Sequence, residues 1–496
     1  MPGAVMRSGQ WRIKPSGRIP IFLRYMINSS FDHKIANKVG FKNHIVNRVY
    51  LNHMMYWPAK EYDLLEAEIV GHLKRNDGWL ERYCRGELKK SEYLYALGLK
   101  LKKVNWRSKT NQEMKKVLDD LLAKYRELAC PWYAQYSIDV YYEDIIEEQL
   151  LKYIKADYPD FRKIVLIFTD PQEETDVAEE RWKLMKLAKK FKTNKEKLNK
   201  LSKSARQDIG KHLDKFAYIN RGLATSKPYN FDDMINRIKE AWAAKESLDE
   251  LIYYSSPEKI VNDYNWAFKQ IKPKLDFQKI IKQARLHSYT RNRRVEAFFL
   301  ADYGASFMYH EIARRNNFNP DWIMEVTAPE MYGALNGKLL PDKTEMQRRF
   351  KNYAMVVENA VTKLIVEPAE IKRLEKKYVV INEQVDEIQG RMACLGGIIR
   401  GRAKICLDKA DIGKVEHGDI LVSQFTTPDF VSAMEKAAAI VADQGGLSSH
   451  AAIVSRELGV PCVIATENGT RIIKDNDLLE IDAREGIVKI LERAKK

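Results

Sequence analysis

Cysteine is scarce in this chain. Its five residues in 496 (Cys84, Cys130, Cys394, Cys406 and Cys462) are odd in number, widely scattered and form no Cys-x-x-Cys pair. That argues against a disulfide framework or a zinc site and fits a reducing, cytoplasmic setting. Long apolar runs are missing as well. No stretch approaches the roughly 20 apolar residues of a membrane-spanning helix, so no membrane partner is expected. Residues 1–14 lack the apolar centre of a secretory signal. Internal repeats and Gly/Ser-rich linkers are also absent. What is present is 45% hydrophobic and 31% charged residues, a globular composition. The length calls for roughly two to four domains.

Negative charge is short in one part only. Residues 391–496 hold fifteen Lys/Arg and fifteen Asp/Glu, so the whole surplus of +16 lies in the first 390. Such asymmetry implies different partners for the two parts, with anionic ligands or a solvated basic face for the first. Between Arg181 and Lys203 ten basic residues accompany a single acid, Glu196. A run of this kind on amphipathic helices reads as a wet face.

From about residue 30 to about 360 the apolar spacing is helical. Tyr62, Leu65, Ile69 and Leu73 form one stripe. Met114, Val117, Leu118, Leu121, Leu122, Tyr125 and Leu128 form a second, and Ile146, Leu150 and Ile154 a third. Thr193 and Glu196 have capping-box spacing and predict a helix start. Lys163–Phe168 reads as a short strand. Around residue 365 the texture changes to short β-branched runs separated by Gly, Asp and Asn and alternating with helical segments. Strands are predicted over 418–423, 438–442, 461–465, 478–481 and 487–490. Thr427-Pro428-Asp429 opens one helix and runs it to about Lys436; Ser448 and Ser449 open another that Gly459 closes. The expected organisation is a mainly α-helical region over 1–365, a linker over 366–387, and a compact α/β domain over 388–496.

Chemistry is concentrated in the run from Asp443 to Gly459. It sets His450 in the first turn of a helix, directly after the Gly445-Gly446 turn. Two glycines let the backbone bend sharply and approach a ligand closely. The unpaired N–H groups and positive dipole end of a helix favour an anion. Ser448 and Ser449 can cap that helix and offer hydroxyls to phosphate oxygens. A neutral imidazole is a competent nucleophile near pH 7, and its phosphoramidate stays reactive enough to pass the group on. Arg456, about a turn and a half later, either supports the site electrostatically or is an exposed helix arginine.

The run Gly445-Gly446-Leu447-Ser448-Ser449-His450-Ala451-Ala452, continuing to Pro461, resembles the Gly-Gly-x-Thr-Ser-His-Ala-Ala signature of the phosphoenolpyruvate-utilising enzymes. It is similar to the swivelling phosphohistidine domain of pyruvate phosphate dikinase, phosphoenolpyruvate synthase and rifampicin phosphotransferase, over about residues 388–492. Gly418-Asp-Ile-Leu-Val resembles the family's first central strand and Thr427-Pro428-Asp429 its helix start. Gly397-x-x-x-Gly401 resembles its opening hairpin, although Cys394 and Leu395 stand where Ala and Ser are usual. Ser448 replaces the usual threonine and keeps the hydroxyl. The resemblance implies that His450 accepts and donates the phosphoryl group, with Gly445, Gly446, Ser448, Ser449 and Arg456 in support.

Family members with this domain resemble three-part machines: an ATP-grasp unit, the carrier, and an acceptor unit. The 46 residues after His450 cannot form a phosphoenolpyruvate barrel of about 250 residues. The helical part shows none of the Gly-rich loops and strand alternation of an ATP-grasp unit. The order "helical region, then carrier" is similar to rifampicin phosphotransferase, whose helical part holds the acceptor. That match is patchy and clearest over 281–335. There Arg291 and Arg294, one turn apart, either clamp an anion or pair with acids such as Glu296, and His310 begins His310-Glu-Ile-Ala-Arg-Arg. These three are the acceptor-region candidates.

The expected function is a phosphotransferase subunit, incomplete without a separate ATP-grasp nucleotide-binding subunit, that passes the group to an unknown small-molecule or phosphate acceptor. ATP and Mg²⁺ would sit on the partner, with no cofactor or metal on this chain, an arrangement similar to phenylphosphate synthase. Two alternatives differ in class. One is a basic nucleic-acid-binding protein with the phosphohistidine domain as a switch, which lacks any recognised nucleic-acid motif and predicts strongly salt-dependent retention. The other is an inactive scaffold, in which His450 is never phosphorylated.

Overall fold

A computed structural model describes residues 6–494, apart from 9–10, 16–19, 29–39, 53, 131, 156–157, 172, 222–226, 245, 360, 379–384, 395, 408, 427–429, 446–448 and 467. Helices dominate as far as residue 351, and the first two apolar stripes of the sequence become buried helix faces, while of the third Ile146 and Leu150 are buried on Trp132–Leu150 and Ile154 lies beyond its end. Tyr62, Leu65, Ile69 and Leu73 are buried on the helix Ala59–Arg75. Met114, Leu118, Leu121, Leu122, Tyr125 and Leu128 line Asn111–Ala129, which Thr110 and Glu113 open with a reciprocal capping box. The axis of the body is a 41-residue helix, Leu275–Arg315, about 60 Å long at 1.5 Å per residue. It crosses the helix Trp79–Leu101 at unusually short range. A Cβ on Gly304 would lie 2.3 Å from the Gly98 carbonyl oxygen, and one on Gly98 would lie 2.7 Å from that of Leu300. No helix among the described residues is long and apolar enough to cross a membrane.

The body also contains a sheet that the helical reading of residues 30–360 missed. Strands β1 (Met6–Ser8), β2 (Trp11–Pro15), β3 (Arg48–Leu51), β4 (Met54–Pro58), β5 (Ala354–Glu358) and β6 (Val361–Ile365) lie in the order β1-β2-β4-β3-β5-β6. Every neighbouring pair is antiparallel. All of β3 and Met54–Trp57 of β4 are buried, so the alternation that identifies a half-buried strand is absent. β5, the partner of β3, joins from some 300 residues away. Part of the expected 366–387 linker is a helix, Pro368–Tyr378, whose Ile371, Leu374 and Tyr378 pack with Val49, Leu51 and Tyr56 on this sheet.

Two other local expectations are corrected. The run read as a strand is the helix Phe161–Thr169. Counted from Phe161, the buried Phe161, Ile164, Val165 and Phe168 have helical spacing, which a window beginning at Lys163 conceals. Thr193 starts no helix; it ends Asp176–Thr193, its hydroxyl donating to the Lys189 carbonyl. The next helix, Lys203–Phe216, is capped by Ser202, and Glu196 accepts from the Ser202 N–H and hydroxyl.

Beyond residue 386 the α/β reading holds. Strands β7 (Glu387–Gln389), β8 (Arg391–Cys394), β9 (Ile398–Cys406), β10 (Ile420–Ser423), β11 (Ala439–Ala442), β12 (Cys462–Ile464), β13 (Leu478–Asp482) and β14 (Ile487–Glu492) form one sheet. Its order is β7-β14-β13-β9-β10-β11-β12-β8. The central run β9-β10-β11-β12 is parallel, with antiparallel strands on both flanks. Leu421, Ile440, Ala451 and Ala452 pack on one face of the sheet; Ile420, Val422, Val441 and Leu479 pack on the other. The strands around Gly397 make no hairpin with each other. β8 pairs with β12, while β9 pairs with β10 and β13. The Thr427-Pro428-Asp429 helix start lies outside the described residues, and the described helix is the short turn Val431–Met434.

Candidate functional site

The loop after β11 emerges at the carboxyl edge of the parallel strands, where open α/β sheets present their ligand sites. Asp443 and Gln444 prolong the register against β10, donating backbone N–H bonds to Ser423 (3.0 Å) and Gln424 (2.9 Å). Gly445 then takes φ +125, a conformation closed to side-chain-bearing residues at little cost. Its missing Cβ also makes room for Ser449, whose Oγ would stand 2.5 Å from it. Gly446 and Ser448 lie outside the described residues. The Ser449 hydroxyl accepts from the Ala452 N–H at 3.3 Å and so caps the helix His450–Leu458. His450 is the first residue of that helix, and Gly459 at φ +66 ends it. Ala451, Ala452 and Ser455 are buried and fix the helix on the sheet. Arg456 falls in the same helix, but its side chain and that of His450 lie outside the described residues.

A carboxylate that sequence reading assigned no role holds this loop in place. Asp443 is buried; it accepts from the Thr466 hydroxyl at 3.0 Å and from the hydroxyl and N–H of Thr470. Burial pushes its pKa up to about 6, against the lowering effect of those donors. The available signal was an acid directly after an apolar strand and two residues before the Gly-Gly turn.

The three acceptor-region candidates do not converge. Arg291 Nη1 donates to Asp139 Oδ2 at 3.1 Å, toward the helix Trp132–Leu150. Arg294 is almost fully buried, its Nη1 3.6 Å from Glu87 Oε2 on the Trp79–Leu101 helix. The pair therefore faces two different helices and forms no common clamp. The residue that pairs with Glu296 is Arg293, at 2.6 Å. His310 is exposed some 19 residues further along the same helix, about 28 Å away at 1.5 Å per residue. Partial desolvation lowers its pKa, with Arg221 adding to the effect.

The carrier unit rests against the body along its carboxyl edge. Gln424, which follows β10, directs Nε2 to Met54 Sδ of β4 at 3.9 Å. Arg391 is paired with Ile464, the last residue of β12, and so lies at the same edge. Its guanidinium is 3.9 Å from Glu143, 3.9 Å from Asp144 and 4.0 Å from Glu147. Leu166 of the Phe161–Thr169 helix joins the apolar cluster that contains Val454 and Leu458.

Residues 415–486 match the family model described as "PEP-utilising enzyme, mobile domain". A probable phosphoenolpyruvate synthase of Archaeoglobus fulgidus is 45% identical over 130 residues, 25% of this chain and 17% of that protein. One of Methanothermobacter thermautotrophicus is 47% identical over 103 residues, covering 20% and 15%. The phosphoenolpyruvate synthase of Pyrococcus furiosus is 48% identical over 109 residues, covering 21% and 13%. The chain thus matches less than a fifth of the length of each of these relatives. These matches support a phosphohistidine-carrying phosphotransferase domain. The carboxy-terminal α/β unit of this chain is a mobile domain of the phosphoenolpyruvate-utilising enzymes.

Proposed function

We propose that this chain is a phosphotransferase subunit in which His450 takes a phosphoryl group from a separate ATP-grasp subunit and delivers it to an acceptor held by the helical body. The observation that carries this reading is the local build around His450. A left-handed glycine, a serine cap and a helix that begins at His450 meet at the carboxyl edge of a mobile-domain sheet. The positive end of that helix would favour the phosphoryl oxygens, with Gly446, Ser448 and Arg456 as the supporting residues on this reading. Transfer to and from the imidazole is in-line displacement, dominated by positioning and charge neutralisation. The nucleotide and its Mg²⁺ belong, on this reading, to the partner. The sheet of the body is antiparallel throughout, with no glycine-rich loop between a strand and a helix among its described residues. The scattered cysteines suit a reducing cytoplasm.

The test is phosphoryl labelling from ATP, with the purified chain alone and then with candidate ATP-grasp subunits. Label should appear only with a partner, be acid-labile and alkali-stable, and vanish in His450→Ala. Label that persists in the variant removes His450 from the mechanism. Strong labelling of the chain alone removes the partner.

A further inference from the structure

The cysteines form no motif in the sequence, but the fold brings two of them together. β8 is the last strand at one edge of the carrier sheet and pairs with β12 alone. In that antiparallel pair Cys394 of β8 stands directly opposite Cys462 of β12, which comes 68 positions later in the chain. Residues facing each other in this way have Cα atoms about 4.5 to 5.5 Å apart. A disulfide spans roughly 4.4–6.8 Å between Cα atoms, so no strand has to move for one to form.

The side chains share a face. From Cys394 the register passes to Met392 and skips Ala393, a bulge that sets Ala393 and Cys394 together opposite Cys462. Packing agrees with this. Ala393 and Cys462 belong to one apolar cluster and Cys394 packs against it, whereas Val463, next on β12, belongs to the cluster on the opposite face. Ala451 and Ala452 of the His450–Leu458 helix sit in the same cluster as Cys462.

Exposure divides the roles of the two thiols. Cys462 is fully buried and Cys394 half-buried, so a small oxidant meets Cys394 first. Cys462 then stands in the position of a resolving thiol. The other cysteines are placed to take no part. Cys406 ends β9, three strands from β12 and four from β8, roughly 14 and 19 Å at the usual strand spacing. Cys84 is buried in the Trp79–Leu101 helix, and burial pushes its thiol up to about 12, far from the reactive thiolate. Cys130 is buried in the body, at the end of Asn111–Ala129.

We propose that Cys394 and Cys462 are a reversible oxidation site for peroxides, whose disulfide clamps β8 to β12 on the face of the sheet that carries the His450–Leu458 helix. The Cys394 thiolate attacks one oxygen of hydrogen peroxide; the S–O bond forms, the O–O bond breaks and hydroxide leaves. The Cys462 thiolate then attacks the Cys394 sulfur; the S–S bond forms, the S–O bond breaks and a second hydroxide leaves. The two thiol protons complete two waters, so two thiols and one peroxide give one disulfide and two waters. In a reducing compartment such a bond is transient and redox-sensing. Its mechanical effect falls on β8, an edge strand held by a single neighbour and therefore among the first to open. That strand bears Arg391, which faces the carboxylates of the body.

The full-length chain is treated with hydrogen peroxide, its remaining thiols are alkylated after unfolding, and the digest is read by mass spectrometry. A loss of about 2 Da and a peptide joining Cys394 to Cys462, both reversed by dithiothreitol, are expected. Cys84, Cys130 and Cys406 should stay alkylatable, and Cys406→Ala should form the same bond. In Cys462→Ala, Cys394 has no resolving thiol and should stop at a sulfenic acid that dimedone traps. Cys394→Ala, at the half-buried position, leaves the core intact and should leave Cys462 a thiol. Hydrogen exchange of the β8 amides should slow about tenfold in the oxidised wild type. None of these readouts involves His450, so they stand apart from the phosphoryl-transfer reading. Survival of both thiols, overoxidation of Cys394 beside an untouched Cys462, a bond to any other cysteine, or equal β8 exchange in the two redox states overturns the proposal.

Discussion

Gly445 is the residue on which the loop before His450 turns. At φ +125 any side chain is strained, and a Cβ would also collide with the Ser449 hydroxyl that caps the catalytic helix. Gly445→Ala should therefore cost about 1–3 kcal/mol and, by displacing the cap, slow His450 charging. Urea unfolding and the charging rate measure the two effects; a variant unchanged in both would show that the loop relaxes freely. Asp443 predicts a pH dependence. Its pKa rises from the ordinary 3.8 to about 6 on folding, so between these values the native state binds more protons than the unfolded one. The stability contributed by protonated Asp443 is present below about pH 4 and is lost as pH rises through 6, a change worth about 3 kcal/mol. Wild type should lose stability relative to Asp443→Asn over that window, and the difference should be level above pH 7. Parallel stability curves for the two proteins would refute the buried-proton account. The Gly445 turn and the Ser449 cap were legible because their geometry is local: Gly445, Ser449 and the helix start at His450 fall within six consecutive residues. The pairing of Arg291 with Asp139 was not, because 152 residues separate them and nothing in either neighbourhood marks the other.

At the scale of elements, legibility followed the length and regularity of the pattern. The helices Ala59–Arg75 and Asn111–Ala129 announced themselves through single buried stripes. The carrier strands were marked by β-branched runs between Gly, Asp and Asn. β3 and β4 are four- and five-residue strands with hardly a residue exposed, and β3 depends on a partner, β5, from the far end of the body. The long helix crossing is a further feature that composition hides, since a helical glycine ordinarily counts against a helix. Gly98 and Gly304 are explained by contact: each lies against the other helix's backbone, which cannot rotate away as a side chain can. Gly304→Ala should cost about 3 kcal/mol, toward the upper end of overpacking penalties. Gly86, on the same helix as Gly98, has nothing within 4 Å of its missing Cβ. Gly86→Ala should instead gain up to about 1 kcal/mol from helix propensity. Chemical denaturation of both variants checks the contrast. Equal effects would mean that the crossing spreads to accommodate a methyl group.

At the scale of the whole molecule, a carrier must be stable alone yet held loosely. The first requirement fixes where the unit begins. Ile490 N–H donates to the Asp386 carbonyl at 2.8 Å, Arg493 donates to the Val385 carbonyl at 2.9 Å, and β7 closes the sheet on β14. A fragment from 385 to 496 should melt cooperatively, and one from 391 should be less stable. The second requirement is met by the nature of the docking contacts. Arg391 stands 3.9–4.0 Å from each of three carboxylates and bonds none of them at hydrogen-bond distance. Attraction of that kind is long in reach, weak at any one partner, and screened once the Debye length falls to about 3 Å at 1 M salt. The accompanying contacts among the described residues include a sulfur-accepting amide and a leucine. Arg391→Glu reverses the attraction while leaving the β8–β12 pairing, which is made by the backbone. The radius of gyration from small-angle scattering should therefore increase in 1 M salt for wild type, and at all salt concentrations for the variant. Melting of the carrier unit should stay unchanged. A variant that remains as compact as wild type would mean that the apolar contact at Leu166 governs docking, and Leu166→Ala would then produce the opening that Arg391→Glu did not.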